Sequence, residues 1–451
     1  MLQIRLFSLL MLMLAFGACN KEDDDSPDPD PKPFEVPATE DIVMYEVNLR
    51  AFSPEADFQG ITARMDTLKA LGVNTLWLMP IHPVGQINSV GQLGSPYSVQ
   101  NYVEVNPEFG TLDDFKALVD AAHKRGIAVV IDWVANHTSW DNPWIQNTSW
   151  YTQDGNGNIV HPPGTNWMDV ADLDFNNADM RLAMIDALKY WIEDVGIDGY
   201  RCDAADFVPF TFWQQAIDSL EAIPDRDLIL LAEGSRADHF TAGFQMNYGW
   251  DFYGKIKGVF DGTFSATSIF VTHHSETVNL PEGVRKLRFT TNHDETAWDE
   301  TPIVLFGGKQ GALAASVVTM YLGGSVPLLY NGQEVGLNVN LPFFSHYPIN
   351  WTINPDMAAE YQRLLKYYRA TQALRTGDMT SFSHSDLVVF QRQLGQETVL
   401  VAVNVRDAEK EWAVPAELQT GVWKNSLTGQ AITLPASMNF QPYEYFVLEK
   451  E

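Results

Sequence analysis

The sequence predicts an α/β fold: a (β/α)8 barrel with a short domain inserted after its third strand and a C-terminal antiparallel β-sandwich. Three observations carry this expectation. Apolar runs of strand length alternate with amphipathic helical stretches from Asp41 to about Leu374, the pattern of a parallel barrel. Three of the apolar segments lead into an acid: Ile197-Asp-Gly-Tyr-Arg-Cys-Asp203, Leu228-Ile-Leu-Leu-Ala-Glu233 and Arg288-Phe-Thr-Thr-Asn-His-Asp294. Barrels keep their reactive groups at the carboxyl ends of their strands. After Gly377 the pattern changes to short alternating strands, as in a sandwich.

A single acid at a strand end is commonly a helix cap or loop former. Three of them, one beside an arginine and one beside a histidine, point to chemistry instead. Residues two apart on a strand share a face, so Arg201 and Asp203 project together. A guanidinium beside a carboxylate favours its ionised form, which a nucleophile requires.

The chain has 451 residues, enough for a barrel and one or two smaller units, and 45% of them are hydrophobic. Its net charge of −29 excludes nucleic acid as a main partner, because phosphates would be repelled, and suits a neutral substrate. Thirteen Trp and sixteen Tyr supply flat faces for stacking on sugars, beyond those the core consumes.

The expected barrel occupies residues 38–376. Strands are expected at Ile42–Val47, Val73–Met79 and Ile127–Val134, with helices over Ile61–Leu71 and Leu112–Arg125, the latter capped by Thr111. Residues 138–177 do not read as helix; they hold Trp140, Trp144, Trp150 and Trp167 and form the insert. Those tryptophans are either binding platforms or the insert's own core. Helices follow over Ala178–Val195 and Phe210–Ile223, and the fifth strand ends at Glu233. A sixth strand is placed near Phe244–Met246. Helices over Gln310–Tyr321 and Met357–Leu374 flank the last barrel strand. Residues 377–451 form the sandwich, with strands at Asp386–Arg392, Thr398–Val405, Glu411–Val414 and Glu444–Leu448.

The first nineteen residues read as a signal. Arg5 precedes an apolar segment from Leu6 to Phe16, too short to span a membrane comfortably, and Gly17-Ala18-Cys19 follows. This resembles a bacterial lipoprotein signal, which implies cleavage before Cys19 and lipidation of its thiol. Residues 20–37 are an acidic, proline-rich tether. An acidic run directly after a lipidated cysteine resembles the tag of surface-exposed lipoproteins, so the expected location is the outer membrane, facing outward. Cys202, between Arg201 and Asp203, is expected to point away from them as a small buried residue.

Ile131-Asp-Trp-Val-Ala-Asn-His137, Gly199-Tyr-Arg-Cys-Asp203, Glu233 and Phe289-Thr-Thr-Asn-His-Asp294 resemble the four ordered signature regions of the α-amylase family, glycoside hydrolase family 13. Val170-Ala-Asp-Leu-Asp174 resembles a fifth. The resemblance implies a retaining hydrolase of α-glucans and malto-oligosaccharides, with Asp203 as nucleophile, Glu233 as acid/base, protonated at rest, and Asp294 as the third acid. It further implies that Tyr97 stacks beneath the reacting sugar, that His137 and His293 donate to its hydroxyls, and that Arg201 orients Asp203. Many relatives bind structural Ca2+ between barrel and insert, and Asn136 and Asp172 match its side-chain ligands. The Lys-His pair that often follows the nucleophile is replaced by Asp206-Phe207, which bears on sugar binding beyond the cleavage point. Other specificities share this scaffold: α-glucosidase, neopullulanase, cyclomaltodextrinase and transglycosylase. A non-catalytic glucan-binding lipoprotein is the reading from a different class. Oligomeric state cannot be read from the sequence.

Overall fold

The computed structural model describes residues 34–451. Cys19 and the signal assigned to it lie outside these residues. Eight parallel strands close into a barrel. They are Met44–Val47, Thr75–Leu78, Ala128–Trp133, Gly199–Cys202, Ile229–Ala232, Met246–Tyr248, Arg285–Arg288 and Ser325–Tyr330, numbered here first to eighth. Nearly all their residues are buried, as expected of strands covered by helices outside and packed side chains within.

Local chemistry explains the helix boundaries. Thr111 and Asp114 form a reciprocal capping box, and the helix they open runs Leu112–His123 with Phe115, Leu118, Val119 and Ala122 inward. The helix expected over Ile61–Leu71 is instead two, Phe58–Ala63 and Met65–Leu71, with Arg64 outside helical geometry between them. The one expected over Ala178–Val195 ends as an α-helix at Tyr190 and continues as a wider π-type turn, Trp191–Val195. The closing helix likewise divides, into Pro355–Ala370 and Gln372–Thr376.

Two strand placements differ from expectation. The sixth strand starts at Met246, later than the 244–246 expected. Phe244 is held in a turn, its N–H donating to the His239 carbonyl, while the Gln245 side chain accepts from Leu230 N and occupies an edge position. The seventh strand ends at Arg288, so Asp294 does not sit at a strand end. Asn292 accepts from Glu295 N at 2.8 Å and caps a short helix, His293–Trp298, whose first turn carries Asp294.

After the third strand, His137–Ser139 pairs antiparallel with Val170–Asp172, placing His137 opposite Asp172. The C-terminal region is a six-stranded antiparallel sheet, Asp378–Phe382, Leu387–Leu394, Glu397–Asn404, Tyr445–Lys450, Trp423–Asn425 and Ala431–Ile432 in that order, with Lys410–Ala413 paired to Ser437–Phe440 beside it. Alternation divides its two faces: Val388, Phe390, Val399, Val401 and Val403 join the barrel core, while Leu387, Val389, Leu400 and Ala402 pack around Trp412 and Trp423. Four of these strands were not foreseen: Asp378–Phe382, Trp423–Asn425, Ala431–Ile432 and Ser437–Phe440. They have five residues or fewer, and two of them, Asp378–Phe382 and Ala431–Ile432, hold no buried residue.

The fourth strand opens at Gly199 with φ +145, where an added Cβ would lie 1.9 Å from the Ile229 carbonyl oxygen. Both the dihedral and the close approach require glycine. Gly199→Ala should therefore cost about 2–3 kcal/mol of stability through overpacking and backbone strain, read as a lowered denaturation midpoint.

Candidate active site

The third, fourth and fifth strands deliver Asp132, Arg201, Asp203 and Glu233 to one end of the barrel. Arg201 is fully buried. Its Nη1 donates to Asp132 Oδ1 at 2.9 Å and Oδ2 at 3.1 Å, and to Asp203 Oδ1 at 3.0 Å. Its Nη2 lies 2.8 Å from Glu233 Oε1. Arg201 meets Asp203 as expected, and its one guanidinium is divided among three carboxyls. The aromatic rings of Trp77, Tyr97 and Tyr248 surround it at 4.9–5.9 Å.

The electrostatic outcome follows. Burial, then the neighbouring Glu233 charge, push the Asp203 carboxyl well above the usual range despite Arg201. Burial also raises Glu233, opposed by Arg201 and reinforced by Asp294. Two buried carboxyls that share one arginine hold on to a proton between them, so the pair titrates as a unit. A rise in Glu233 was expected; the rise in Asp203 was not, because its like-charged neighbour is close only in the folded chain.

Ala204 supplies the link between the two acids. It is one of five non-glycine residues with positive φ among those described, at +44. That unusual conformation turns its N–H onto Glu233 Oε2 at 2.7 Å. Strain of this kind costs about 1–3 kcal/mol and persists where the surroundings over-determine it. The amide next to Asp203 therefore holds the carboxyl of Glu233.

A cleft of about 1000 Å³ opens above these groups, lined by Tyr97, His137, Asp203, Glu233, His293 and Asp294 among others. All six site residues expected around the reacting sugar are thereby brought together, with Arg201 buried beneath them. Tyr97 stacks on His293 at 5.5 Å and bonds Asp132 Oδ2 at 3.1 Å. The two histidines differ in charge. His137 has no carboxylate partner, and burial drives its pKa down to about 4. His293 rises to about 9: burial opposes its charge, but Asp294 and Glu46 outweigh that. Cys202 is a buried free thiol on the strand's other face, with its pKa raised by burial.

The tryptophans of the insert divide between the two roles left open by the sequence. Trp140, Trp144 and Trp150 pack on the core, with Trp144 and Trp150 edge-to-face at 5.3 Å. Trp167 lines the cleft, 5.5 Å from His137 and 5.7 Å from the exposed ring of Phe207. Asp206, the other replacement residue, is exposed and accepts from Ser235 N and Arg236 N, just beyond Glu233.

Sequence reasoning passed over several residues. Glu46 and Arg50 are buried charges within apolar segments, a signal visible in the chain but not followed. Trp298, which ends the short helix His293–Trp298, and Phe343 and Phe344, from a late loop that carries no periodicity, complete the cleft wall. Arg50 binds those loops: it donates to the carbonyls of Leu93, Gly94 and Phe343 and pairs with Glu108 at 3.0 Å.

Asn136 and Asp172 line a second cavity together with Asp174 and Phe207. Asp172 is mostly buried, and burial raises its pKa, with Thr152 and His161 only partly opposing. These are oxygen donors suited to a hard cation. Among the described residues no cluster of three or more His, Cys, Asp or Glu is arranged to hold a metal, so carbonyls and water would have to complete such a seat.

The model of the alpha-amylase catalytic domain matches residues 27–158. Alpha-amylase MalA of Haloarcula japonica is 30% identical over 319 residues, 68% of this chain, and Alpha-amylase 2 of Dictyoglomus thermophilum is 25% identical over 427. A crystal structure of an alpha-amylase from Lactobacillus plantarum superposes with a TM-score of 0.81 at 28% identity, over 92% of this chain and 99% of that one. The chain belongs to the alpha-amylase family of glycoside hydrolases. It spans 46% of the length of the Haloarcula protein and 72% of that of the Dictyoglomus protein. A maltogenic alpha-amylase of Thermotoga neapolitana shares 26% identity with a TM-score of 0.81, over 92% of this chain and 99% of that one.

If Glu233 raises Asp203 by like charge, Glu233→Gln should lower the Asp203 carboxyl pKa toward its ordinary value. Carboxyl-selective NMR titration of the wild type and the variant reads this directly; an unchanged Asp203 pKa contradicts it.

Proposed function

We propose that this family member is a retaining hydrolase of α-1,4-glucosidic bonds in starch-type glucans and malto-oligosaccharides. The observation that carries the reading is the link between the two acids: the amide of Ala204, adjacent to Asp203, binds Glu233, and Arg201 touches both carboxyls. Such close coupling supports the short spacing, roughly 5–5.5 Å, at which the second carboxylate attacks directly instead of activating water. In this mechanism Glu233 gives its proton to the leaving oxygen while Asp203 bonds to the anomeric carbon. Water then enters from the vacated side, Glu233 removes its proton, and the sugar leaves Asp203 with configuration retained. Asp294 faces the same cleft, where it holds sugar hydroxyls and favours the positive charge that develops on the ring.

The relatives named above as alpha-amylases support the choice of α-glucan over other glycans. The aromatic pair of Trp167 and Phe207 supports binding of sugar rings beyond the scissile bond, in the place where relatives carry Lys-His. Asp203→Asn should reduce turnover to trace levels with folding intact, since the nucleophile is lost but the hydrogen bond from Arg201 remains possible. Product sizes over time on amylose and pullulan then set specificity. An early ladder of malto-oligosaccharides from amylose supports an endo-acting amylase, glucose alone an exo-acting glucosidase, and panose or maltotriose from pullulan a pullulan-degrading enzyme. Binding without any product would favour the glucan-binding reading.

Two further proposals concern the chain's surroundings. Asn136 and Asp172, with the main-chain carbonyl of Phe207, would hold a structural Ca2+ that ties insert to barrel. A saturating ion stabilises by about 2.7 kcal/mol at a hundredfold excess over its Kd. Chelation should therefore lower the melting temperature by a few degrees, and millimolar Ca2+ should restore it in the wild type but not in Asp172→Ala. The second proposal is that Cys19 carries a lipid anchor in the outer membrane with the enzyme outside. Labelled palmitate should enter the wild-type protein and not Cys19→Ser.

A further inference from the structure

We propose that Glu46, at the carboxyl end of the first barrel strand, is a positioning residue that keeps both nitrogens of His293 protonated and so sets the direction of a hydrogen-bond chain that ends at the nucleophile. Glu46 is completely buried and His293 is 2% exposed. Glu46 Oε1 contacts His293 Nδ1 in a short ion pair, while its other oxygen, Oε2, has no partner. A buried carboxyl left half satisfied contributes poorly to packing, so its presence calls for another account.

The chain can be followed atom by atom. On the far side of the ring, His293 Nε2 lies 2.7 Å from the Tyr97 hydroxyl. That hydroxyl lies 3.1 Å from Asp132 Oδ2, which also receives Trp77 Nε1 at 3.1 Å and Arg201 Nη1 at 3.1 Å. Arg201 Nη1 continues to Asp203 Oδ1 at 3.0 Å. An Asp132 carboxylate paired with Arg201 only accepts, so Tyr97 gives it the one proton it owns. Tyr97 must then accept from His293, which places a proton on Nε2. The facing carboxylate of Glu46 calls for a second proton on Nδ1. Both demands together make the ring an imidazolium.

The surroundings of His293 agree. Glu46 faces it from the first strand, Tyr97 from the loop after the second, Asp132 and Arg201 from the third and fourth, and Asp294 from its own helix at 3.4 Å. Glu233 from the fifth strand interacts with its charge, and Tyr330, ending the eighth strand, feels Glu46 and Asp294. Arg201 opposes the imidazolium; the carboxyls favour it and are more numerous. Without the Glu46 charge a neutral His293 accepts at Nε2, and Tyr97 is free to turn its proton from Asp132 to the ring. Asp132 then loses a donor, and the balance of Arg201 between Asp132 and Asp203 shifts.

The test is Glu46→Gln, which keeps size and an acceptor oxygen but removes the charge. Nitrogen NMR of labelled histidine in the substrate-free, full-length protein reads the protonation of His293 directly. The wild-type ring should carry two protons at neutral pH and titrate near 9, and the variant should titrate about two units lower. The alkaline limb of kcat/KM on malto-oligosaccharides should move down in parallel, with kcat reduced more than KM is raised. In a His293→Gln background, Glu46→Gln should leave the pH profile unmoved. A wild-type His293 that is singly protonated at neutral pH overturns the proposal even if the variant does not fold. So does a Glu46→Gln profile superimposable on the wild type. Only the kinetic arm rests on the hydrolase reading: a protein inert on every glucan whose His293 nonetheless shifts with Glu46 would refute that reading and uphold this one.

Discussion

One buried guanidinium underlies the architecture of the active end. Arg201 has no access to water, and its charge is balanced by Asp132, Asp203 and Glu233, contributed by three adjacent strands. Loss of Arg201 would leave three desolvated carboxyls without their counter-charge, a larger penalty than the loss of a surface pair. The arrangement also sets reactivity. With one positive charge spread over three carboxyls, none is fully stabilised as an anion, and Asp203 and Glu233 are both raised above the usual carboxylate range. Structure and chemistry therefore draw on the same few ångströms, and neither can be altered alone.

The two histidines of the cleft illustrate how much the environment decides. Both rings are buried, stand near aromatic neighbours and come from motifs of similar composition, Asn136-His137 and Asn292-His293. One meets an amide, the other two carboxylates, and they fall on opposite sides of neutrality. Two rings of unlike charge thus line one cleft, and its field is uneven before any ligand is counted.

Much of this was legible in the chain, for reasons that can be stated. Buried parallel strands are short and apolar, so the barrel announced itself, and the acids expected after such strands, Asp203 and Glu233, stand together in the cleft. Asp294 was found for a partly wrong reason: it is the cap at Asn292, not the strand, that presents it. The shared role of Arg201 and the coupling of Asp203 to Glu233 were hidden because they join residues on different strands. No local pattern encodes a distance between strands. Glu46 was overlooked in the opposite sense. A charge amid Val43, Met44, Tyr45 and Val47 is conspicuous, but its partner His293 lies 247 positions away. The cleft wall at Phe343 and Phe344 belongs to a loop whose course is set by the barrel, not by its own propensity.

That loop has a counterpart consequence in Arg50. A single side chain in the short helix Leu49–Phe52, which follows the first strand, binds the carbonyls of Leu93 and Gly94 on one side of the cleft and of Phe343 on the other. Two long segments, separated by some two hundred and fifty residues of chain, are thus fastened to one rigid post. The two sides of the cleft wall are thereby tied through one guanidinium. The contacts that bring them together are made by the chain with itself, with no bound molecule required, so ordering that a ligand would otherwise have to impose at this point is already present in the fold.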